Sequence, residues 1–202
     1  MCDPNRCFLP EDRLERRPQF SYLVAKGLPS PTCWRHLRVG PEHCFEFELL
    51  ARGGTRYEEA VVERSGRYFP ALSNMLRIGT YTYSFCGVQL QSDVCAQDGD
   101  GALWIVDLNH GSINTHGDAC DTFWERIPIS YRFLNSGGEQ FEKCLLTYLE
   151  YVERARDPTK DGAGASHAAL LFEDFVRQTD PQVLDQETSF WDGAIGEMLG
   201  PF

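Results

Sequence analysis

Apolar and polar residues alternate in the first two thirds of the chain with the period of a β-strand. Residues 45–49 and 81–85 each change from apolar or aromatic to polar at every second position. Because successive side chains of a strand point to opposite faces, this pattern predicts strands with one buried face. The nearly continuous apolar run at residues 103–108 predicts a further, buried strand.

The parity of the alternation changes at Gly87, which predicts a glycine-containing bulge within one strand. A Gly/Asp-rich turn at residues 97–101 separates that strand from the next. We therefore predict an antiparallel meander over residues 76–134, within a mixed or antiparallel sheet formed mainly by residues 45–134.

The period changes to that of a helix in the C-terminal third. Apolar residues follow the spacing i, i+3, i+4, i+7, i+8 and i+11 from Phe141 to Val152, which predicts one buried helical face. Ser136 followed by Glu139 has the spacing of a capping box and predicts the start of this helix. A second helix is predicted over residues 166–178.

The remaining elements complete an α+β fold. Asp180-Pro181 predicts a short turn of helix, and Ser189 is the predicted N-cap of a last helix. Strands followed by helices are typical of α+β domains. We predict one domain over residues 1–202, with an irregular segment at 1–18 and a Gly/Asp-rich loop at 157–165.

Charge separates the two ends of the chain. The 202 residues carry a formal net charge of −11. Residues 1–38 hold seven Lys/Arg against four Asp/Glu, whereas residues 139–202 hold five against thirteen, a net −8. This balance argues against nucleic acid or an anionic membrane as a direct partner, since both bind cationic surfaces. It is compatible with a basic protein partner or with the solvated face of ordinary helices.

Targeting signals are missing from the sequence. No run of about 18 apolar residues predicts a transmembrane helix. The N-terminal residues lack the apolar stretch of a secretory signal, which predicts a cytoplasmic protein.

The eight cysteines are many for this length. In a chain without a secretory signal they predict buried small hydrophobic residues, such as Cys144, and no disulfide framework. His110, His116 and Cys120 are weak candidates for a metal site or a thiol–imidazole pair, because their types fit but their spacing matches no standard pattern.

Catalytic signatures are also missing. The sequence contains no G-x-S-x-G, P-loop, G-x-G-x-x-G or H-E-x-x-H motif. A non-enzymatic binding protein without a cofactor is therefore the first hypothesis. A small metal- or thiol-dependent enzyme that uses the Cys/His loop is the alternative.

Five segments, in a fixed order, point to a known family. They are Gly27-Leu28-Pro29, Leu76-Arg77-Ile78-Gly79, the strand Leu103 to Leu108 with His110-Gly111-Ser112-Ile113, Phe133-Leu134-Asn135-Ser136 with Gln140-Phe141, and Asp180-Pro181 with Phe190-Trp191. In this order they resemble the SUKH superfamily, and within it the type four subgroup of immunity proteins found beside bacterial polymorphic toxins. Gly137 departs from the family pattern, which has a second serine there.

The resemblance implies a domain that binds and neutralises a cognate toxin, of the nuclease or nucleic-acid deaminase type, and catalyses nothing. Such toxins tend to carry cationic grooves, which an acidic binder complements. An adaptor role, as in eukaryotic and viral members of the superfamily, is the alternative within the same resemblance.

Two groups of residues are the candidate sites. The partner-binding candidates are Tyr81, Tyr83, Glu150, Glu153 and Asp157, because tyrosines are frequent at binding hot spots and the carboxylates belong to the acidic third. The other group has structural roles. Asn135 and Ser136 are predicted to cap the helix, Trp191 to anchor helix–sheet packing, and Gly79 and Phe141 belong to the motif segments.

Overall fold

The computed structural model describes residues 21–35, 41–47, 72, 74–85, 88–97, 100–107, 130–155, 163–186 and 188–199. Within these residues the chain forms an α+β fold, as predicted, with a six-stranded antiparallel sheet followed by C-terminal helices. None of the helices in this part of the chain is long and apolar enough to cross a membrane.

The sheet is a meander in which every strand pairs with its neighbours along the chain. Its strands are β1 (Thr32–Arg35), β2 (Glu42–Phe47), β3 (Met75–Phe85), β4 (Val88–Gln97), β5 (Leu103–Asp107) and β6 (Ser130–Asn135). The sheet therefore begins earlier in the sequence than the alternation predicted, since β1 has four residues and is too short to show a period.

The chain reverses direction between Phe85 and Val88, where a bulge within a single strand was predicted. Phe85 pairs with Val88 and Tyr83 pairs with Leu90, so β3 and β4 are two antiparallel strands. The prediction of one strand with a bulge at Gly87 is therefore wrong. When the chain reverses, paired residues such as Tyr83 and Leu90 lie on the same face although one is odd-numbered and the other even-numbered. The reversal therefore explains the change of alternation at Gly87. The register shift in β3 lies instead between Arg77 and Gly79.

The helices lie mostly after the sheet in sequence. They are α1 (Ser21–Lys26), α2 (Gly138–Ala155), α3 (Ala163–Thr179), α4 (Gln182–Asp185) and α5 (Phe190–Leu199). Helix α2 contacts α3, and α3 contacts α5. Helix α3 begins at Ala163, inside the predicted loop 157–165, and residues 157–162 lie outside the described residues.

Aromatic rings fill the space between the sheet and the helices. Phe45 of β2 contacts Phe141 of α2 and Phe190 of α5, with ring centroids 5.4 and 5.6 Å apart. Trp191 packs edge-on against Tyr148 of α2 at 5.4 Å. Each large ring buries apolar area from both layers, so these contacts hold the helices on the sheet.

The turn between β4 and β5 matches the Gly/Asp-rich pattern. The Gln97 amide donates to the Ala102 carbonyl at 2.7 Å, and the Asp100 carboxylate accepts from the Ala102 amide at 2.9 Å. Gly101 has φ of 79°, which glycine adopts at little cost. The segment 1–18 and the sequence around Ile113 lie outside the described residues.

Candidate functional site

Helix α2 has two chemically different faces. Its inner face is buried in the core and is formed by Phe141, Cys144, Leu145, Tyr148 and Val152. The helical period predicted these five positions and also Leu149, which is only half-buried. The opposite face is therefore available to solvent along most of the helix.

Carboxylates surround one exposed leucine on that opposite face. Leu146 is 61% exposed. Glu139, Glu142, Glu150 and Glu153 lie seven and four residues before it and four and seven residues after it. Residues four and seven apart share one side of a helix, so these five side chains form a single stripe, which we call the α2 acidic face.

Two carboxylates of the α2 acidic face form ion pairs with cations of the same helix, and a third accepts a hydrogen bond from α1. Lys143 Nζ lies 2.8 Å from Glu139 Oε1, and Arg154 pairs with Glu150 four residues before it. The Tyr22 hydroxyl of α1 donates to the Glu142 carboxylate. Exposed pairs of this kind contribute at most about 1 kcal/mol, so a cationic partner displaces the lysine and the arginine at little cost.

The structure separates the four predicted partner-binding residues that it describes. Glu150 and Glu153 lie together on the α2 acidic face and are exposed. Tyr83 is half-buried, and Asp157 lies outside the described residues. Tyr81 is only 5% exposed, because Phe190 of α5 covers its ring at 5.2 Å. The prediction that Tyr81 forms part of an exposed surface is therefore wrong.

The residues that carry the family resemblance meet in one buried network. The Asn135 amide nitrogen donates to Asp180 Oδ2 at 3.0 Å, and the backbone N–H of Ser136 donates to the same oxygen at 2.7 Å. The Ser136 hydroxyl donates to Asp180 Oδ1. The indole N–H of Trp191 donates to Asn135 Oδ1 at 2.9 Å. Asn135, Asp180 and Trp191 are each at most 2% exposed.

This network corrects the predicted capping box. Helix α2 begins at Gly138, and the first helical carbonyl is that of Gly137, which accepts from the Phe141 amide at 3.0 Å. Ser136 lies one residue before this N-cap, and its hydroxyl is used by Asp180. Its role is tertiary: it joins the end of β6 to the start of α4. By contrast, Ser189 caps α5 as predicted, since its Oγ accepts from the Asp192 amide at 3.3 Å.

Sequence reasoning did not assign Asp180 a role beyond starting a turn. The available signal was an aspartate before proline, a pair that marks turns. Nothing in one sequence shows that its carboxylate reaches a residue 45 positions away. Among the other motif residues, Gly79 has no space for a side chain, because a Cβ there would lie 2.3 Å from the Glu46 carbonyl oxygen.

A second buried polar group lies between the sheet and α5. His43 Nδ1 lies 2.8 Å from the Tyr81 hydroxyl, and His43 Nε2 lies 3.3 Å from Glu197 Oε2. Arg132 stands over the Tyr81 ring at 5.5 Å. Burial raises the pKa of Tyr81 above its ordinary value of 10.0, Arg132 opposes this, and Glu197 adds to it. Tyr81 therefore stays a neutral hydroxyl at physiological pH and joins the sheet to α5.

The cysteines depart from the sequence prediction in one pair. Cys33 of β1 and Cys44 of β2 form a disulfide, although none was expected. The reason is the register of the sheet, which places the two residues directly opposite each other with Cα atoms 4.1 Å apart. Cys144 is a buried thiol, as predicted. Burial raises its pKa to about 12, against the lowering effect of the hydrogen bond from Asn135.

The Cys/His loop is not among the described residues. His110, His116 and Cys120 all lie outside them, so the metal-site alternative stays a prediction. Within the described part of the chain, no group of three or more His, Cys, Asp or Glu residues is arranged to hold a metal ion.

Comparison with known proteins adds no relative. No family model, curated protein or solved structure matches the chain.

Proposed function

We propose that this protein is a non-enzymatic binding module that uses the α2 acidic face to bind a basic protein partner. The observation that carries the proposal is Leu146, an exposed apolar side chain with a carboxylate within two helical turns on each side. A single exposed leucine is common on protein surfaces. Leu146 together with the carboxylates on either side of it combines an apolar contact with a polar rim, as binding interfaces do.

The charge of the face selects the chemistry of the partner. Carboxylates attract a surface rich in lysine and arginine, and they repel phosphate groups and anionic lipids. The neighbouring cations Lys143 and Arg154 belong to exposed intrahelical pairs that are easily exchanged. A basic groove with an apolar floor is therefore the surface that the face fits.

The resemblance to SUKH immunity proteins supports a particular partner class. A toxin that acts on nucleic acid has a cationic substrate groove, which the α2 acidic face complements and blocks when bound. The protein then acts by occupying the groove, without any chemical step of its own and without a cofactor. An adaptor role would use the same face for a different basic protein.

The proposal is tested by photo-crosslinking from the face itself. A photoreactive phenylalanine analogue is placed at Leu146 in one variant and at Leu170 of α3 in the control, since Leu170 is 56% exposed and lies on another helix. Both variants are expressed in the native host, and the captured proteins are identified by mass spectrometry. We expect one basic protein to be captured from position 146 alone. Equal capture from both positions, or none from either, would contradict the proposal.

The captured partner then permits a quantitative test. Replacing Leu146 with alanine removes about three buried methylene equivalents and should weaken binding by about 2 kcal/mol. Glu150→Lys should slow association at low salt, with a smaller effect as salt screens the charge. Glu173→Lys on α3 is the matched control, because Glu173 has the same i, i+4 pairing with Arg177. An equal effect of both reversals would show that only the overall charge matters.

A further inference from the structure

The disulfide lies on the outer face of the sheet, at its edge. Cys33 belongs to β1, which is the first strand of the sheet and pairs with β2 alone among the described strands. Cys33 is exposed and Cys44 is half-buried. A sulfur on an exposed edge strand is reachable by a small thiol without unfolding of the core, in contrast to the buried Cys95 and Cys144.

On the face opposite the disulfide, a tryptophan of β1 packs into the core. Trp34 and His43 are the next paired residues and stack with ring centroids 5.2 Å apart. Trp34 also packs edge-on against Tyr148 of α2 at 5.7 Å. The disulfide on the outer face and the packing of Trp34 on the inner face therefore both stabilise β1 on the sheet.

We propose that Cys33–Cys44 is a site of reversible thiol–disulfide exchange with a dithiol reductant, and that its redox state sets how firmly β1 is held on the sheet. The disulfide closes a loop between residues 11 positions apart. Without that closure, β1 is held by Trp34, by the ladder to β2 and by the exposed Arg35–Glu42 ion pair, so it detaches more often. The site is independent of the α2 acidic face.

The exchange takes place in two steps. A thiolate of the dithiol attacks Sγ of Cys33, the more exposed of the two residues, and the bond to Cys44 Sγ breaks as its electron pair leaves with Cys44, which then takes up a proton. The second thiolate of the reductant attacks its own sulfur in the mixed disulfide and releases Cys33 as a thiol. The protein gains two electrons and two protons, and the dithiol becomes a cyclic disulfide.

The test follows alkylation and amide exchange in the folded protein. The full chain is treated with dithiothreitol under native conditions and alkylated, and the modified cysteines are located by peptide mass spectrometry. Oxidised glutathione is then added to a second sample to restore the bond. Hydrogen–deuterium exchange of the β1 peptide is measured in both states, with the β6 peptide as the internal control.

We expect Cys33 and Cys44 to be alkylated only after reduction, at a reductant concentration that leaves the circular dichroism spectrum unchanged. Amide exchange in β1 should become faster by up to about 100-fold, which corresponds to the closure entropy of a loop of this size. The double variant Cys33→Ser, Cys44→Ser should exchange at the faster rate with or without reductant. Exchange in β6 should not change.

Three results would overturn the proposal. The first is alkylation of both cysteines before reduction, which would mean that no disulfide exists. The second is reduction only when the whole protein unfolds, which would make the bond purely structural. The third is a reduced protein whose β1 amides exchange as slowly as before, which would show that the other contacts of β1 hold the strand without the disulfide.

Discussion

Asp180 is the residue whose loss should most disturb this fold without changing its apolar core. Its carboxylate accepts hydrogen bonds from the Asn135 side chain, the Ser136 backbone and the Ser136 hydroxyl. Its own backbone stays in place independently, since its N–H donates to the Val176 carbonyl at 2.8 Å. The substitution Asp180→Ala therefore removes one acceptor group and leaves three donors in a site that is 2% exposed.

The cost follows from the donors that are left behind. An unsatisfied buried donor costs about 1–3 kcal/mol, and the Asn135 amide and the Ser136 backbone N–H both lose their acceptor. Water replaces part of what is lost at Ser136, which is only half-buried. We therefore expect Asp180→Ala to lower the free energy of unfolding by about 3–4 kcal/mol. Asp180→Asn should also destabilise, because an amide offers a donor where donors already converge.

The assay is urea denaturation followed by circular dichroism, which gives the free energy of unfolding from the linear extrapolation. Asp174→Ala is the matched control, because Asp174 is an exposed aspartate on the neighbouring helix α3. It should change the free energy by no more than about 0.5 kcal/mol. If Asp180→Ala fell within 0.5 kcal/mol of this control, the network would not hold β6 to the helices and the reasoning would be refuted.

Three further changes test other contacts. Gly79→Ala should destabilise by about 1–3 kcal/mol, seen as a lower Tm, because the added Cβ meets the backbone carbonyl of Glu46 and neither strand can move aside. Tyr81→Phe should cost about 1 kcal/mol near neutral pH by removing the hydroxyl beside His43 Nδ1. Because the pKa of Tyr81 is raised in the folded state, its contribution to stability is present below pH 10.0 and is lost as the pH rises above that value. The free energy of unfolding should therefore fall less steeply with alkaline pH in the phenylalanine variant than in the original protein. Ser189→Ala should cost about 1 kcal/mol through loss of the α5 N-cap, measured by urea denaturation.

The fold class was predictable because the strand period and the helix period each repeat over enough residues to be recognised in the sequence. Helix α2 has 18 residues, its apolar spacing repeats from Phe141 to Val152, and that face is buried as expected. Strands β3 and β4 are also long, but alternation alone does not distinguish one bulged strand from two strands that reverse. The distinction depends on the partner of each residue, and strand pairing is a long-range property.

The parts that were not predictable depend on contacts between distant residues. Ser136 lies at a position typical of a helix cap, where its oxygen would accept from a backbone N–H. Its hydroxyl instead donates to the Asp180 carboxylate, because a hydrogen bond to a charged acceptor is stronger. The Cys33–Cys44 pair results from strand register. The exposure of Tyr81 was misjudged because α5, which covers it, is more than 100 residues away in sequence.

The residues that suggested the family and the residues proposed to bind a partner belong to different parts of the molecule. Asn135, Asp180 and Trp191 are buried and bind one another, so they maintain the attachment of helices to sheet. Leu146 and Glu150 lie on the outside of α2 and take no part in that network. A substitution on the outer face should therefore cost little stability, whereas a substitution in the network should lower stability.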